Sequence, residues 1–572
     1  MDKNWHFLTP DIVCVKRLRH TLGCEEAIAR SLVNRGIHDP KHAQAHIHTS
    51  LNRLKPPFCL KDMDKAVERT ARAIHENESI LVFGDYDADG ITATTILCGF
   101  LRECGAHVSS YLPHRINEGY GLKPRHIVHF KDNMRPDLLI TVDCGTSSHD
   151  AVKEATAAGI DVIITDHHDA ESSPPPAYAV LNPKQPGCTS GLAHLAGVGV
   201  AFYFIMALRK YLRDHHFFKN RPEPNLKQMC DLVAIGTLAD MVPLVDENRI
   251  FIHTGVHVLK TATRHGLKAL MHMAQITQEK LTAEDIAFKI APRINSAGRI
   301  DHAQIAYDLL NDSNEGRCLK LAQHLETLNT RRKEMETGIL DQIETYLQKK
   351  GTGHQRSIVL ASNYWHLGVL GIVCSRLVNK YFKPAILISL QNDKGTGSGR
   401  SIPGIDLFQG VSRCKEDLLQ FGGHQMAIGL SIASENVQSF RDRFEKLLSD
   451  TTTSDDFIPS LDIDAVLDFD DINDTLIDQL ESLQPFGESH PEPVFVTRNI
   501  HIDHEKKIGD RHKRFVLRQK HGRSDKKFNA VFFNAPPSDD FDHIAYSIKW
   551  NRWNGQKTPQ LVLTDIKKTP CN

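Results

Sequence analysis

The chain has 572 residues, 41% of them hydrophobic and 24% charged, with a formal net charge of −1. This length and composition predict a globular protein of about four domains. The balanced charge excludes a basic field over the whole protein, but it is compatible with a basic groove whose charge is offset by acidic surface elsewhere. The 12 scattered cysteines form no C-x-x-C pair, which argues against a zinc ribbon or a disulfide framework, and we predict neither a signal peptide nor a membrane-spanning run.

After a short helical start, the first part of the chain is predicted to alternate between strands and helices. Residues 1–75 read as short helices joined by His-rich segments, to which we assign no function. The expected elements are strands at 80–83, 108–112, 137–142, 160–165 and 179–181 and helices at 91–104, 124–130 and 148–158. Apolar strands that alternate with helices predict a parallel sheet covered on both faces.

The second part is predicted as a helical region, a further α/β block and a barrel. Residues 192–350 are helical, and 316–350 form a long charged helix that is either a connector or a solvated bundle helix. In the α/β block we expect strands at 357–360 and 385–390, helices at 369–381, 407–419 and 437–448, a Gly-rich segment at 395–401 and a loop at 421–424. A linker at 451–456 precedes strands at 494–502, 514–519, 529–533, 544–550 and 560–564, which suit an oligonucleotide-binding-type barrel.

The strongest chemical signal is the stretch I-L-V-F-G-D-Y-D-A-D-G at 80–90, where an apolar strand ends in three alternating carboxylates. Charge repulsion is expected among Asp85, Asp87 and Asp89. In proteins a hard divalent cation usually neutralises such a cluster. An EF-hand calcium loop is excluded because its twelfth residue must be Glu, whereas the twelfth residue here is Ile96, and because a strand precedes it. A solvated acidic turn is the remaining alternative.

Further carboxylates follow the next strands of the same predicted sheet. Asp143 follows one strand, the triplet D-H-H at 166–168 follows the next, and Asp240 follows a helix. The carboxyl ends of parallel strands meet at one edge, where such sheets bind ligands, so we expect these groups to lie together. Taken singly, Asp143 could cap a helix and the two His could form a surface pair. The complete set at the strand ends favours a site.

The types of donor favour manganese or magnesium over zinc, because carboxylates accompany one or two imidazoles and no thiolate. Five or six such ligands exceed the need of one ion, which predicts a two-metal centre. Two ions about 3.5–4 Å apart can activate water and stabilise the leaving oxygen of a phosphoester, with Asp143 as the candidate bridge. No G-x-x-x-x-G-K-[ST] segment occurs, so nothing predicts an ATP-driven motor.

With these residues the chain resembles the DHH phosphoesterase superfamily and, within it, the single-strand-specific 5′→3′ exonucleases. The four superfamily motifs are matched in order by G-D-Y-D-A-D-G (84–90), V-D-C-G-T (142–146), D-H-H (166–168) and G-T-L-A-D-M-V-P-L (236–244). Three segments resemble the family's second domain, which binds the substrate: W-H-L-G-V-L-G-I-V-C-S-R (365–376), G-S-G-R-S (397–401) and F-G-G-H-Q-M-A-I-G (421–429). A further segment, P-F-G-E-S-H-P-E-P-V-F (485–495), resembles the start of the family's C-terminal barrel.

The resemblance implies the ligands of the metal centre. The metal-ligand positions are occupied by Asp87, Asp89, Asp143, His167 and Asp240. Asp143 falls on the bridging position, and His168 falls on a position near the scissile phosphate. Phe83 stands where related phosphatases carry a further His ligand, and Asp85, without an implied ligand role, is expected to support its neighbours.

The resemblance also implies a site for the end of the DNA. Positions associated with the 5′-phosphate are occupied by Arg115, Ser398 and Arg400. Either Arg293 or Arg299 should join them, since a guanidinium suits a terminal phosphate dianion, although any of these Arg could pair with a surface carboxylate instead. Tyr120 could stack on a base or lie in the core, and His424 could contact phosphate or cap a loop.

The predicted architecture is therefore α/β: a parallel-sheet DHH domain with a helical connector, a second α/β domain of the DHHA1 type and a C-terminal barrel. The expected boundaries are 1–75 for the N-terminal helical segment, 76–215 for the DHH domain, 216–350 for the helical region, 351–450 for the second domain and 457–572 for the barrel. The resemblance implies a Mn²⁺- or Mg²⁺-dependent enzyme that degrades single-stranded DNA from the 5′ end to 5′-mononucleotides, in recombination and repair. A channel too narrow for a duplex would select single strands.

Two other functions stay open. A phosphodiesterase for short oligonucleotides or cyclic dinucleotides usually lacks the barrel, and a non-catalytic DNA-binding scaffold would have lost metal ligands that this chain keeps. The resemblance further implies a single-strand-binding protein and a DNA helicase as partners. It also implies a monomer in the bacterial cytoplasm, without membrane contact.

Overall fold

The computed structural model describes residues 3–261, 264–350, 355–509, 511–520, 525–536, 540–553 and 555–568. The chain forms two compact units. The central unit comprises Leu51–Val242 and Ile250–Phe457, and the terminal unit comprises Met1–Ser50, Pro243–Arg249 and Ile458–Asn572. In the described ranges, no helix combines the length and the apolar character needed to cross a bilayer.

The secondary-structure elements are numbered in chain order. The strands are β1 (Asn4–Phe7), β2 (Ser79–Phe83), β3 (His107–Tyr111), β4 (Leu138–Val142), β5 (Asp161–Thr165), β6 (Ala179–Leu181), β7 (Ile358–Ser362), β8 (Ala385–Gln391), β9 (Lys394–Arg400), β10 (Leu418–His424), β11 (Ala427–Ala433), β12 (Ser460–Ile463), β13 (Ala465–Val466), β14 (Phe495–Arg498), β15 (Ile500–Ile508), β16 (His512–Gln519), β17 (Lys527–Phe532), β18 (His543–Trp553) and β19 (Gln556–Lys567). The helices are α1 (Ile12–Leu22), α2 (Glu26–Asn34), α3 (Pro40–Ile47), α4 (Met63–Glu76), α5 (Ala88–Glu103), α6 (Pro124–Asn133), α7 (His149–Ala157), α8 (Gly197–Asp214), α9 (Leu226–Ala239), α10 (Asp246–Lys260), α11 (His265–Met273), α12 (Ala283–Asp285), α13 (Ala291–Ile300), α14 (Gln304–Asn311), α15 (Glu315–Lys350), α16 (Leu367–Tyr381), α17 (Leu407–Ser412), α18 (Val437–Thr451) and α19 (Asp474–Ser482).

The first sheet of the central unit confirms the predicted parallel sheet. Its order is β3-β2-β4-β5-β6, and every neighbouring pair is parallel. Ile80 and Val82 of β2 pack into the core that contains α4, α5 and α8, whereas Leu81 and Phe83 pack on the other face against α6 and α7. Burial on both faces explains why residues 80–83 of β2 are all apolar. The chain passes from β2 to β3 on one side and then crosses to β4 on the other side of β2, and in such sheets the carboxyl ends at this reversal are where ligands bind.

The helical region and the long helix α15 are also confirmed. Along its first half, α15 contributes Cys318, Ala322 and Leu325 to the core of the first α/β block. Along its second half, Ile339 and Ile343 enter a separate core with α16, β7 and β8. The helix therefore supplies core residues to both α/β blocks, as a connector with two buried ends would.

The second sheet of the central unit is mixed. Its order is β10-β11-β9-β8-β7, with β7 and β8 parallel and the other pairs antiparallel. The strands predicted at 357–360 and 385–390 and the helices predicted at 369–381 and 437–448 are present as β7, β8, α16 and α18.

Two predictions in this block are wrong. The helix expected over 407–419 ends at Ser412, and the loop expected at 421–424 lies within strand β10, which pairs with β11. From Leu418 to His424 the chain pairs with β11, which satisfies its backbone groups in a strand and includes the last residues of the expected helix. The Gly-rich segment at 395–401 mostly forms the central strand β9. A Cβ at Gly397 would lie 3.0 Å from Ile388 and from Leu430, so side chains of the adjacent strands cover the glycines.

The terminal unit contains the predicted barrel. Its sheet has the order β13-β14-β18-β19-β17-β16-β15, with β17 and β19 parallel. The strand predicted at 494–502 is interrupted at Asn499, whose φ is +59°. Its first half, β14, pairs with β18 and its second half, β15, pairs with β16. One bent segment thus links β14, second in the sheet order, with β15 at the opposite edge, as in the closed sheet of an oligonucleotide-binding fold.

The beginning of the chain folds with this barrel. Strand β1 pairs in parallel with β12, from Asn4 opposite Ser460 to Phe7 opposite Ile463. Helices α1 and α2 share one hydrophobic core with α19 and the barrel strands. Of residues 1–75, to which the sequence assigned no function, the part up to Ser50 therefore has a structural role in the terminal unit, whereas α4 belongs to the core of the central unit.

Candidate active site

The loop from β2 to α5 directs its three carboxylates differently. Asp87 is the N-cap of α5, and its Oδ1 accepts the N–H groups of Asp89 (3.0 Å) and Gly90 (3.1 Å). Capping occupies one carboxylate oxygen and leaves the other for a ligand. From α13, Asn295 Oδ1 accepts the N–H of Ala88 at 2.8 Å, which further fixes the first turn of α5.

Asp89 is held by the N-terminus of a second helix. The N–H groups of Gly197 and Val198, at the start of α8, donate to its two oxygens at 2.7 and 2.9 Å. The positive end of an 18-residue helix stabilises a carboxylate at this place. Burial and the adjacent Asp87 nevertheless raise the pKa of Asp89 to about 7.

Asp143 follows β4 in a left-handed backbone conformation, with φ +60°, which is uncommon outside glycine. Strain of this kind is typical of functional positions. Its carboxylate packs on the N-terminus of α8, where a Cβ at Gly197 would lie 2.5 Å from Asp143 Oδ1. The close approach therefore requires glycine at position 197.

His167 faces three carboxylates with one ring nitrogen. Its Nε2 lies 3.1 Å from Asp143 Oδ1, 3.5 Å from Asp240 Oδ2 and 3.9 Å from Asp89 Oδ2. The ring is hydrogen-bonded to the backbone of Leu195, and burial followed by the charge of His168 lowers the pKa of His167 to about 3. The imidazole is thus neutral, which is the form that binds metal ions.

The ligand atoms fall into two sets that Asp143 connects. One set is Asp89, His167 and Asp240, and the other is Asp85, Asp87 and Asp143; within each set the ligand atoms lie within 4.8 Å of one another. Asp85 was not among the predicted ligands, although it belongs to the same acidic run. The signal for it was present in that run, but the resemblance offered no role for it.

The residues present fit divalent cations. Asp85 Oδ1, Asp143 Oδ1 and His167 Nε2 are buried without a hydrogen-bond partner among the described residues, although buried polar atoms are normally satisfied. Burial, followed by neighbouring carboxylates, raises the pKa of Asp143 and of Asp85 well above the ordinary value. A divalent ion removes both costs, since it satisfies the oxygens and balances their charge.

His168 lies beside the carboxylate sets and carries a proton. Its Nδ1 donates to Asp166 Oδ1 at 2.8 Å. Although burial lowers it, this bond and the charge of Asp166 raise the pKa of His168 to about 9. Asp166 also accepts the N–H groups of His167 (2.7 Å) and Thr146 (2.9 Å), so it orders the loop and does not face the ligand sets.

Tyr120 lies beside His168 and is not a core residue. Its hydroxyl lies 3.0 Å from His168 Nδ1 and donates to the carbonyl of Asp143 at 3.3 Å. The residue is still 44% exposed, which leaves part of the ring open to a base. Burial of the hydroxyl and the charge of Asp166 raise the pKa of Tyr120 well above its ordinary value.

Three arginines gather beside this site without a carboxylate partner. Arg115 lies 4.7 Å above the ring of Tyr86, in the acidic loop itself. Burial and the nearby Arg115 cation lower the pKa of Arg299 to about 9, and both effects also lower the pKa of Arg400. Arg400 donates to Ser398 Oγ at 3.3 Å. Among the described residues no carboxylate forms an ion pair with these three guanidinium groups, which suits them to an anionic ligand.

The structure distinguishes the two arginines that the sequence left open. Arg293 donates to Glu326 Oε2 at 2.5 Å and to the carbonyl of Lys289, so its charge is balanced within the helical region. Arg299 instead donates to the carbonyl of Gly368, on the second domain. Of the two, only Arg299 is brought to the arginine cluster.

His424 lies at the end of β10, opposite Ala427, which in turn faces Arg400 across the sheet. The side chain is 65% exposed, and its Nδ1 is 3.6 Å from Asp169, which follows the D-H-H triplet. Lys184, which sequence reasoning missed, donates to the same Asp169 at 3.1 Å. No sequence pattern marked Lys184 as part of this region.

Phe83 lies in an aromatic cluster and not in the ligand sets. Its ring stacks at 5.8 Å on Tyr111 and lies 5.2 Å from His126. At the position where related phosphatases are expected to carry a His ligand, this chain therefore has a core residue. Nearby, Asp85 Oδ1 is a potential metal-ligand atom that has no hydrogen-bond partner among the described residues.

Three protein-family profiles match the chain. The DHH family N-terminal domain matches residues 79–237, the DHHA1 domain matches 354–450 and the RecJ OB domain matches 463–565. These matches agree with the predicted fold class of a DHH domain, a DHHA1-like domain and an OB-type barrel.

Whole-chain relatives are similar along nearly the entire length. The single-stranded-DNA-specific exonuclease RecJ of Bacillus subtilis strain 168 is 36% identical over 572 residues, covering 98% of this chain and 70% of the relative. The protein of the same name from Escherichia coli is 33% identical, covering 94% of this chain and 95% of the relative. The crystal structure of RecJ in complex with Mn²⁺ from Thermus thermophilus superposes with a TM-score of 0.84 at 27% identity, covering 99% of this chain and 80% of that chain. A second structure, with Mg²⁺, gives a TM-score of 0.78 at 26% identity, covering 99% of this chain and 79% of that chain.

Proposed function

Because the chain belongs to the RecJ family of single-stranded-DNA-specific exonucleases, we propose that its site hydrolyses the phosphodiester bond nearest the 5′ end of single-stranded DNA and releases 5′-mononucleotides. The observation that carries this proposal is the pair of ligand sets joined at Asp143, beside three arginines without carboxylate partners. The ligand sets suit the scissile phosphate, and the three arginines suit the terminal phosphate of the same strand.

The ligand roles follow from this arrangement. Asp85, Asp87 and Asp143 would hold one Mn²⁺ or Mg²⁺, and Asp89, Asp143, His167 and Asp240 the other. When bound, such ions supply polarisation of the attacking water and charge neutralisation at the phosphate. Asp87 and Asp89 are kept in place by helix N-termini, so the carboxylates are oriented before substrate binds.

The protonated His168 is suited to the scissile phosphate. Its Nδ1 proton is committed to Asp166, so the other ring nitrogen can donate to a non-bridging oxygen. In the reaction the water oxygen bonds to phosphorus and the bond to the 3′-oxygen of the terminal nucleotide breaks. The remaining strand then carries a new 5′-phosphate, so the same end group is presented in the next cycle.

Arg115, Arg299 and Arg400, with Ser398, would bind the terminal 5′-phosphate, and Tyr120 offers its exposed ring to a base. His424 would contact a backbone phosphate. Arg293 takes no part, because its charge is paired with Glu326.

We further propose a division of labour among the segments. Residues 76–215 bind the ions, 351–450 grip the DNA end, 216–350 connect them, and 457–572 form a barrel that binds single-stranded DNA, while 1–75 complete the neighbouring cores. A monomer in the bacterial cytoplasm would act with a DNA helicase and a single-strand-binding protein in recombination and repair.

The test uses a single-stranded oligonucleotide with a 5′-phosphate, labelled at either end, with Mn²⁺, Mg²⁺ or chelator, and a blunt duplex beside it. We expect early release of the 5′-terminal mononucleotide from the single strand only, dependent on metal and lost in Asp143→Asn. Asp150→Asn, an exposed carboxylate on α7, is the matched control. Cleavage confined to di- to pentanucleotides would replace the proposal with a small-substrate phosphodiesterase, and DNA binding without cleavage would indicate a scaffold.

A further inference from the structure

The loop at 113–121 carries Arg115 and Tyr120 to the site, and one carboxylate holds it. The Tyr111 hydroxyl, at the end of β3, donates to Glu118 Oε1 at 2.8 Å. The backbone N–H of His114 donates to Glu118 Oε2 at 2.6 Å. Both oxygens of Glu118 therefore bind the strand and turn that precede Arg115.

The same residue is tied to helix α6. His126 Nε2, buried in the core, lies 3.2 Å from Glu118 Oε1. The carbonyl of Glu118 accepts hydrogen bonds from Lys123 Nζ and Arg125 Nη2. Partial burial raises the pKa of Glu118, but the hydrogen bonds from His114 and Tyr111 outweigh it and hold the pKa below its ordinary value. The carboxylate is thus ionised at neutral pH.

Arg115 lies inside the turn that this carboxylate closes. His114 Nδ1 accepts the N–H groups of Ile116 (3.2 Å) and Asn117 (3.3 Å), and the N–H of Glu118 donates to the His114 carbonyl at 2.8 Å. The Arg115 guanidinium extends from this turn over the ring of Tyr86. In the sequence, Tyr86 stands between Asp85 and Asp87 of the acidic loop. The bonds of Glu118 go to the backbone and to the neighbouring elements, so it acts on Arg115 through the backbone of the turn.

We propose that Glu118 is a positioning residue that sets the preference for a 5′-phosphate over a 5′-hydroxyl end by holding Arg115 in the phosphate-binding cluster. This inference rests on the proposed function of that cluster. Glu118 belongs to neither of the two ligand sets, and its carboxylate oxygens are hydrogen-bonded to Tyr111 and His114. Removal of the Glu118 carboxylate makes the turn more mobile. Arg115 is then ordered only when the DNA end binds, and the entropy cost of that ordering weakens binding.

The test compares two single-stranded oligonucleotides that differ only in a 5′-phosphate or 5′-hydroxyl, cleaved by wild type, Glu118→Gln, Tyr111→Phe and Glu154→Gln. Glu154 is an exposed residue of α7 and serves as the matched control. For Glu118→Gln we expect the ratio of kcat/KM values, phosphate over hydroxyl, to fall about tenfold, mostly through a higher KM for the phosphorylated strand. Tyr111→Phe should lower the ratio less, and Glu154→Gln should not change it.

A purely structural role would lower both kcat/KM values equally and leave their ratio unchanged, and that result would overturn the proposal. Should Glu118→Gln fail to fold, the ratio in Tyr111→Phe decides. Anisotropy measurements of the same oligonucleotides in Ca²⁺ test the role of Glu118 in binding separately from the cleavage activity. If wild type cleaves no DNA, the proposed function fails, but a phosphate preference in binding that Glu118→Gln removes still supports the role of Glu118. A wild type that binds both ends equally refutes it.

Discussion

The carboxylate of Asp85 is buried, 4% exposed, and its Oδ1 has no hydrogen-bond partner among the described residues. Its ligand atom lies within 4.8 Å of those of Asp87 and Asp143. A hydrogen-bonded role in support of its neighbours, which we expected from the sequence, would satisfy this oxygen through a neighbouring donor. The unsatisfied oxygen and its closeness to Asp87 and Asp143 instead favour a role for Asp85 as a metal ligand.

We predict that Asp85→Asn weakens the apparent affinity for Mn²⁺ by about 10–100-fold, with activity partly restored at high Mn²⁺. Asn keeps the size of the side chain and one oxygen but removes the charge that attracts the ion. Mn²⁺ titration of single-strand cleavage, together with calorimetric Mn²⁺ binding, measures the effect. Asp150→Asn is the control, and an unchanged Mn²⁺ dependence in Asp85→Asn would assign Asp85 a purely structural role.

A pair of arginines on one helix gives a second prediction at the same scale. Arg299 has no carboxylate partner among the described residues, whereas Arg293 pairs with Glu326. Arg299→Lys should raise KM for a 5′-phosphorylated strand about tenfold or more, because an ammonium cannot replace bidentate binding. Arg293→Lys should leave KM within about twofold, since its ion pair lies in the helical region. Steady-state kinetics on the phosphorylated and hydroxyl strands measure both; equal effects would contradict the assignment.

At the scale of elements, the N-terminus of α8 is built to approach Asp143. We predict that Gly197→Ala abolishes tight metal binding, because the added methyl group would lie 2.5 Å from Asp143 Oδ1. Gly199→Ala, two residues along the same helix, meets only the flexible side chain of Leu195 at 3.2 Å and is the matched control. Mn²⁺ affinity and cleavage rate measure the difference. Similar metal binding by the two variants would show that α8 does not set the position of Asp143.

The elements also show where sequence reasoning succeeds. Strand β2 and the acidic loop were predictable because an apolar run ends in carboxylates, and the carboxyl ends of parallel strands necessarily meet. The strands β9 and β10 were not, because glycine-rich segments signal loops locally. In the sheet, Ile388 and Leu430 cover the glycines of β9, and this contact between distant segments outweighs the local preference.

The whole molecule adds what no local pattern contains. The pairing of β1 with β12 joins segments from opposite ends of the chain, for example Asn4 with Ser460. Likewise, Lys184 and Glu118 lie in unremarkable sequence and gain their contacts only from the fold. Residue types and strand order therefore predict that these carboxylates and imidazoles meet at one edge of the sheet, while the ligand role of Asp85 and the residues that orient the site depend on tertiary packing.

The terminal unit contains a buried histidine that makes its stability depend on pH. His490 is 1% exposed, and its Nε2 donates to the carbonyl of Leu483 at 2.9 Å. Burial and the nearby Arg249 cation lower its pKa from 6.5 to about 3. The unfolded chain therefore binds a proton between these values that the folded unit does not, so stability from this group is complete above pH 6.5 and is lost as the pH falls toward 3.

We predict that His490 accounts for about 2 kcal/mol of the stability that the terminal unit loses between about pH 7 and pH 5. His490→Gln keeps a donor for the Leu483 carbonyl but cannot titrate, so its stability should depend less on pH by about that amount. Hydrogen exchange of peptides from Ile458 onward, in urea at about pH 7, 6 and 5, measures the terminal unit separately from the central one, which is necessary because two units need not unfold together. Equal pH dependence in wild type and His490→Gln would show that the imidazole has the same pKa in the folded and the unfolded chain, so that burial beside Arg249 does not keep the proton off the ring.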